Sequence, residues 1–593
     1  MISGNTTLAR VAETNALKRS MQEKTRDAGA NGALQKVERR SSGVIPTNEG
    51  TLYVSKPFRS RYSKKLKAAV SFVPRTSAFD IENESSSTNE FRGFFTLFWI
   101  SLFIFTVRTY IRSIETSGKP LNLVFATMIS RDAFTLIISD AVLVLSTGLC
   151  VPFAKAISRG WIRYYSTGVM LQHAFQALVL FIAIRWTYHR QWPWVQSGFF
   201  TLHSLVMIMK MHSYMAVNGY LQWASSQSEF LFSQLEAATS RVGGWDQAIA
   251  VAKAHRAELD GSGTEVASAE SSSPPIDTPS PLPEGSYKSY IDGNTANALR
   301  SRLRDHAAVE EAVAQCDDDR RAREKEKLLP HLLVDHPDET VAALARDFSE
   351  VDSELISTGP NQIRWPASIT LKNFAVYMLI PTLCYELEYP RTNRIRPLYV
   401  FEKTIATFGT FVLLYTITET FILPQTPSPD QSFAKSLVDL ALPFMMAYLL
   451  LFYLIFECIC NGFAELSYFA DRQFYEDWWN STSWDEFSRK WNKPVYTFLL
   501  RHVYATSMTS YHLSRFGAMS LTFVLSASVH ELVMAIVTQK IRMYLFTMQL
   551  IQIPLIAIGR LPAIKRNKLL GNVVFWLGLY AGFPLLCVAY VVY

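Results

Sequence analysis

Long apolar runs alternate with polar stretches along this chain. Residues 1–90 and roughly 226–365 are polar and charged, and most of the remainder is apolar. Apolar runs at 91–111, 133–154, 164–186, 194–218, 399–423, 436–460, 516–537, 544–559 and 569–593 have the length of membrane-crossing helices, which need about 20 residues for about 30 Å of hydrocarbon. A further apolar segment at 369–384 is shorter and holds Pro381, so an interfacial or half-buried element is expected there. The pattern predicts an all-α fold, a multi-pass transmembrane helical bundle of about nine spans, behind a mostly disordered cytosolic N-terminal tail. Four parts follow: the tail at 1–90, spans one to four at 91–220, a cytosolic linker at 221–365, and a C-terminal core at 366–593. Within the linker, "SGTEVASAESSSPPIDTPSPLPEGS" at 262–286 is a Ser/Pro segment that cannot form a packed core, and 299–352 is charged and helix-prone.

Loop charge sets the orientation. With a cytosolic N-terminus, nine spans place "KAISRGWIR" (155–163), residues 461–515 and "RLPAIKRNK" (560–568) in the cytosol, and all are rich in Lys and Arg. The loop "PQTPSPDQS" falls on the luminal side and has neither. The pair Lys540 and Arg542 is the one misfit. Counting 369–384 as a full span would invert everything after it and worsen the match.

Composition agrees. Hydrophobic residues make up 49% and charged residues 18% of the 593, below the quarter usual for soluble domains. The formal net charge of +7 is spread along the chain, which suits an anionic cytosolic leaflet and argues against a nucleic-acid binder. The six cysteines show no metal-ligand spacing and read as small buried hydrophobes. The N-terminal residues are polar without an apolar core, so an uncleaved internal span is expected to start insertion.

Two features carry candidate chemistry. The first is the stretch "RQFYEDWWNSTSWDEFSRKWNKPVY" at 472–496, polar and aromatic, in the cytosolic loop between the sixth and seventh spans. The second is His530 inside the seventh span, "RFGAMSLTFVLSASVHELVMAIV". An ionisable group within a span is costly and points to function. A helix puts Ser526, four residues earlier, on the same face as His530 and turns Glu531 toward another contact. His173 and His203 also sit in apolar spans and are expected to pack.

"FYEDWWN" resembles the FYxDWWN signature of the sterol and diacylglycerol acyltransferases of the membrane-bound O-acyltransferase family. The signature comprises Phe474, Tyr475, Asp477, Trp478, Trp479 and Asn480. "WN" at Trp491 and Asn492, and "SASVHE" at 526–531, follow in that family's order and spacing. "KMHSY" (210–214) and "PTLCYELEYPRT" (381–392) resemble the sterol branch, and "FLLRHVY" (498–504) and "GNVVFWLG" (571–578) resemble fungal sterol acyltransferases. The resemblance covers about 90–593 and makes 366–593 the catalytic core. One departure is Tyr496, where family members commonly carry a histidine after "PV".

The resemblance implies acyl transfer from acyl-CoA to a lipid hydroxyl in the endoplasmic reticulum membrane, with His530 and Asn492 as catalytic residues. It places acyl-CoA contacts at Arg489, Tyr504, Arg515 and Ser526, and implies a homodimer or homotetramer. The expected acceptor is a sterol in the bilayer, ergosterol in particular, with diacylglycerol or another polycyclic alcohol as the alternative. No metal, cofactor or nucleic acid is expected; acyl-CoA is a co-substrate. In this chemistry a neutral imidazole takes the alcohol's proton, and burial in a span is expected to disfavour the charged ring. Asn492 would steady the oxyanion. Arg489 and Arg515 suit the phosphates of CoA. Trp478 and Trp479 are expected at the lipid–water boundary, Asp477 and Asn480 in holding the loop, and Trp484 and Phe487 in packing. A transporter or scaffold remains the non-enzymatic reading, and its expected inverted repeats or paired broken helices are not seen in the sequence.

Overall fold

The computed structural model describes short strands at 44–47, 50–53, 58–59 and 66–67, and residues 72–80, 92–120, 124–265, 331–357, 359–427, 431–559 and 567–591. The regular elements are helices apart from two small antiparallel ribbons, Val44–Thr47 with Gly50–Tyr53 and Phe58–Arg59 with Leu66–Lys67. Among the described residues, seven helical segments are long and apolar enough to cross a bilayer: Thr96–Ser117, Ala133–Ser158, Tyr164–Arg190, Pro397–Gln425, Phe433–Leu466, Arg515–Thr538 and Lys568–Tyr590. The other two expected spans are helices as well. One is the first half of the 48-residue helix Trp194–Arg241, and the other is the 16-residue Tyr544–Gly559. The protein is a multi-pass membrane protein. The Ser/Pro segment after its first four residues, and most of the charged linker, fall at 266–330, outside the described residues; 262–265 end the helix Trp245–Glu265.

The chain divides into two compact units, neither of them continuous in sequence. One takes Tyr110–Tyr389 with Leu532–Arg542; the other takes the chain up to Thr109, Pro390–Glu531 and Met543–Tyr593.

Trp194–Arg241 organises the first of these. Its buried side chains include Gln196, Ser204, Lys210, Ser213 and Asn218, so polar groups line the protein-facing side of an otherwise apolar helix. Lys210 Nζ donates to the carbonyls of Tyr377, Met378 and Ile380 at 2.8–2.9 Å. These are the orphan acceptors at the C-terminal end of Leu371–Leu379, so a buried cation both finds its partners and caps a helix. Ser213 Oγ accepts from Tyr385 N at 2.8 Å, and the Tyr214 ring meets Phe374 and Tyr385 at 4.9 and 4.7 Å. "KMHSY" is thus the clasp that holds "CYELEY", and two motifs far apart in sequence form one packed joint. The short apolar segment at 369–384 is a nine-residue helix capped by Thr370, with Phe374 and Tyr377 buried and Leu371 and Leu379 exposed. It is half-buried, as its length suggested. Beyond the apolar part, Trp194–Arg241 continues into a small hydrophobic core where Leu235, Ala248, Ala252, Leu333, Val341 and Ala345 pack.

In the other unit the segment 72–80 is not part of a loose tail. It is packed into the helical core, with Ser77 and Asp80 almost fully buried. This corrects the expectation of disorder for these residues. The reason is visible in their partners, which lie some 380–400 positions away in sequence, where no local pattern can announce them.

Candidate active site

The loop that carries FYEDWWN is built by three devices. Arg472 N donates to Arg75 O, and Arg75 N to Ala470 O, so the loop starts as a short extended pair. A single turn at Trp478–Asn480 then reverses the chain. Ser483 caps the helix Trp484–Lys490, its Oγ accepting from Glu486 N at 3.3 Å. Asp485 and Glu486 lie in the first turn of that helix and Arg489 and Lys490 in its last, which complements the helix dipole. Burial pushes the Glu486 carboxyl up, but the bonds from Lys490 and Thr482 outweigh it and hold the carboxyl below its ordinary range. Lys490 is held above its ordinary range: burial opposes this, and the bonds to Glu486 and Asp477 overcome it.

The aromatic half of the motif is core. Trp478 is 1% exposed. Its ring meets Trp491 at 5.0 Å, Phe452 at 5.2 Å, Trp576 at 5.8 Å and Tyr448 at 5.9 Å, while Tyr448 stacks on Trp491 at 4.7 Å. The expectation of Trp478 at the lipid–water boundary is corrected: an indole surrounded by rings gains more from packing than from an interface. Trp479 is half-buried, and its carbonyl accepts from Asn572 Nδ2 at 3.0 Å and Trp576 Nε1 at 3.1 Å. Asn572 Nδ2 also reaches Ser481 O at 2.9 Å. A Cβ on Gly571 would sit 2.7 Å from Thr482 O, and one on Gly578 would sit 2.7 Å from the Trp484 ring. "GNVVFWLG" is therefore the helix face on which the motif loop is seated. Asp477 pairs with Lys490 at 2.9 Å and accepts from Asn480 Nδ2 at 3.4 Å, and both side chains shape the loop. Trp484 and Phe487 pack on Phe575.

Asn492 starts the next helix. Its Oδ1 accepts from Val495 N at 3.2 Å as the cap of Lys493–Phe498. The cap uses the oxygen of the amide, and Nδ2 makes no protein hydrogen bond among the described residues. A donor fixed in direction by its own helix cap is what an oxyanion requires. The chain continues through a widened turn at Leu499–Ala505 that contains Tyr504. Tyr496 lies within electrostatic range of Arg489, Asp485 and Tyr504, so three of the positions singled out by sequence converge. Burial leads in raising the Tyr496 phenol above its ordinary value, so it is neutral at physiological pH. Arg489 is exposed and pairs with Asp485 at 3.0 Å. Arg515 is exposed at the first residue of the histidine helix, Arg515–Thr538.

On that helix His530 is exposed at the surface of the chain rather than enclosed. Among the described residues no part of the chain encloses the ring. What the structure supplies is orientation. Nδ1 lies 2.7 Å from the backbone carbonyl of Ser526, with Ser526 Oγ at 3.5 Å. A carbonyl can only accept, so Nδ1 is the protonated nitrogen of the neutral ring and Nε2 keeps its lone pair. Glu531 points away and is 4% exposed. It accepts from Met543 N at 2.7 Å, Phe546 N at 3.1 Å and Tyr590 OH at 2.7 Å, which fixes the rotation of the helix. His530 and Asn492 thus lie on separate elements of one unit, each oriented by its own backbone partner. Among the described residues no group of three His, Cys, Asp or Glu is placed to hold a metal ion.

Comparison with known proteins adds to this geometry. The sequence model of the membrane-bound O-acyltransferase family matches residues 352–592. The chain is 32% identical over 537 residues to the probable sterol O-acyltransferase 1 of Schizosaccharomyces pombe, covering 88% of this chain and 86% of that one. It is 31% identical over 551 residues to sterol O-acyltransferase 2 of Candida albicans, covering 90% and 80%. Similarity to the diacylglycerol O-acyltransferase 1-2 of Oryza sativa subsp. japonica is 31% over 249 residues, covering 41% of this chain and 51% of that one.

Proposed function

The chain belongs to the membrane-bound O-acyltransferase family and is an acyltransferase, and we propose that it esterifies a sterol: a long-chain acyl group passes from acyl-CoA to the sterol 3-hydroxyl, with ergosterol as the acceptor. The sterol reading draws on relatives named sterol O-acyltransferase that are similar over most of both chains, whereas similarity to the diacylglycerol enzyme reaches less than half of this one. The observation that carries the mechanism is the His530 Nδ1 bond to Ser526 O, which leaves Nε2 as a base.

In the transition state Nε2 takes the sterol hydroxyl proton as the oxygen attacks the thioester carbonyl carbon. The carbonyl oxygen gains charge and is met by Asn492 Nδ2. The carbon–sulfur bond breaks, the ester is released, and the imidazolium returns its proton to the CoA thiolate. Atoms balance with CoA and steryl ester as the only products, and the step needs neither a metal nor a covalent acyl-enzyme. Arg489, Tyr504 and Arg515 hold the CoA head on the cytosolic side, where guanidinium groups suit phosphate, and Ser526 lies on the path of the acyl chain inward. The endoplasmic reticulum membrane and a homodimer or homotetramer complete the proposal.

The test is transfer of radiolabelled oleate from oleoyl-CoA by membranes of cells that lack their own neutral-lipid acyltransferases. Ergosterol, cholesterol and diacylglycerol are offered in parallel. Label in steryl ester supports the reading, and label only in triacylglycerol overturns the choice of acceptor.

A further inference from the structure

The segment 72–80 is tied to the motif loop by bonds that bear on Asn492. Arg75 is the centre of the tie. Its Nε and one terminal nitrogen bind both oxygens of Asp471 at 2.8 and 2.6 Å, and its other terminal nitrogen donates to Gln473 Oε1 at 2.9 Å. The same Gln473 oxygen accepts from Lys493 Nζ at 3.0 Å. Lys493 Nζ also holds Glu476 at 2.6 Å, and Lys493 N donates to Phe474 O at 3.0 Å. Lys493 is the residue after Asn492. A second tie runs through Ser77, whose hydroxyl donates to the fully buried Glu457, the acceptor that also holds Tyr475 OH at 3.1 Å. A third joins Asp80 to Arg396 at 3.0 Å. The Phe79 ring lies 6.4 and 6.5 Å from those of Tyr475 and Trp479.

We propose that residues 72–80 are a strap belonging to the active enzyme, and that Arg75, through Gln473 and Lys493, is a positioning residue for Asn492. The role assigned to Asn492 rests on the proposed acyl transfer; the strap itself does not. The guanidinium serves three acceptors at once in a planar fork, which a lysine cannot reproduce. The polar side chains Gln473, Glu476 and Lys493 admit more than one pairing. The strap selects one, and a donor misplaced by about 1 Å forfeits much of its effect on turnover. Of the residues proposed to bind acyl-CoA, Tyr504, Arg515 and Ser526 lie after Lys493 and only Arg489 before it, so the dependence of binding on the strap is weaker.

The experiment compares Arg75→Ala, Arg75→Lys and the charge-swapped pair Arg75→Asp with Asp471→Arg, all in the full chain. Three quantities are read: kcat and KM for acyl-CoA with whichever acceptor the wild type uses, the thermal unfolding midpoint, and the rate of tryptic cleavage at Arg489 and Lys490. The expected result for Arg75→Ala is a kcat lower by roughly tenfold or more with KM within about twofold, and faster cleavage of the loop. Arg75→Lys falls between, and the swapped pair recovers part of the loss. Wild-type kcat and wild-type cleavage in Arg75→Ala overturn the strap. Equal loss of kcat and KM with a collapsed unfolding midpoint reduces Arg75 to a folding role and overturns the positioning claim. If the wild type acylates no alcohol offered, the proposed function fails, and the strap is then decided by the cleavage rates alone.

Discussion

Replacing Glu457 by Gln isolates the buried charge pair under the motif loop. Glu457 and Lys403 are 0% and 2% exposed, with Lys403 Nζ to Glu457 Oε1 at 2.9 Å. The other carboxylate oxygen accepts from Ser77, from Tyr475 OH at 3.1 Å and from Asn461 Nδ2 at 3.1 Å. A carboxylate is acceptor-only and suits four donors; an amide is not. In the variant, Nε2 would face Asn461 Nδ2, donor against donor. Asn461 Nδ2 also holds Phe456 O at 3.2 Å, so turning that amide over sacrifices another bond. Lys403 would keep the amide oxygen as a neutral acceptor but lose its buried counter-charge, the remaining carboxylate being Glu402 at 3.4 Å on a side chain 47% exposed. Removing one partner of a buried pair costs about 3–5 kcal/mol. That is a large part of the roughly 5–15 kcal/mol that holds a domain folded. At roughly 2–4 °C per kcal/mol for a domain of a few hundred residues, the unfolding midpoint should fall by about 6–20 °C. Thermal unfolding of the purified protein in detergent, followed by the fluorescence of its 13 tryptophans, reads this directly. Lys403→Met in the same chain removes the stranded ammonium and should return more than half of the loss. A single variant within about 1 °C of wild type, or a double variant no better than the single, would refute the reasoning.

Asn492→Asp keeps the helix cap on Val495 N but has no amide donor, so kcat should fall by roughly 10²–10³ at an almost unchanged unfolding midpoint; equal activity would remove the oxyanion role. Asn492→Ala adds loss of the cap, worth about 1 kcal/mol, and should show both effects. Arg515→Ala should raise KM for acyl-CoA and leave KM for the sterol, since the contact proposed for it is to a CoA phosphate; an equal rise in both would sink that assignment. Tyr496→Phe tests the departure from the family pattern. Burial raises this phenol, so it stays protonated between about pH 6 and 9, and its loss should leave the pH–rate profile in place and kcat within roughly twofold. A shifted profile would give the hydroxyl a part in the chemistry.

The helical architecture was legible because a span must satisfy its backbone internally and stay apolar for about 20 residues, a constraint written into every stretch of chain that obeys it. Trp194–Arg241 was legible only in its first half, since its polar continuation packs through residues such as Leu235 that no membrane pattern marks. The segment 72–80 was misread as tail because it is short and lies between polar stretches. Arg75 looks solvated until Asp471, 396 residues away, is placed beside it. Trp478 was misplaced for a related reason: an indole is at home both at an interface and in a core, and only its six neighbouring rings decide. For His530 the sequence singled out a residue by the cost of its position, but the bond that orients it went unread. The ring is oriented by the Ser526 carbonyl, a backbone group. The spacing of four between Ser526 and His530 held that information, since a side chain at that distance reaches back to the preceding turn.

The most direct test of the account is His530→Ala in the purified protein, assayed for transfer of oleate from oleoyl-CoA to ergosterol at matched protein amount and unfolding midpoint. Loss of a base in hydrogen-bond reach of the hydroxyl should lower turnover by about 10²–10⁴, while the exposed position of the ring leaves folding intact. Ester formation in the variant at the wild-type rate would contradict the assignment of His530 Nε2 as the base, and with it the mechanism proposed for this chain.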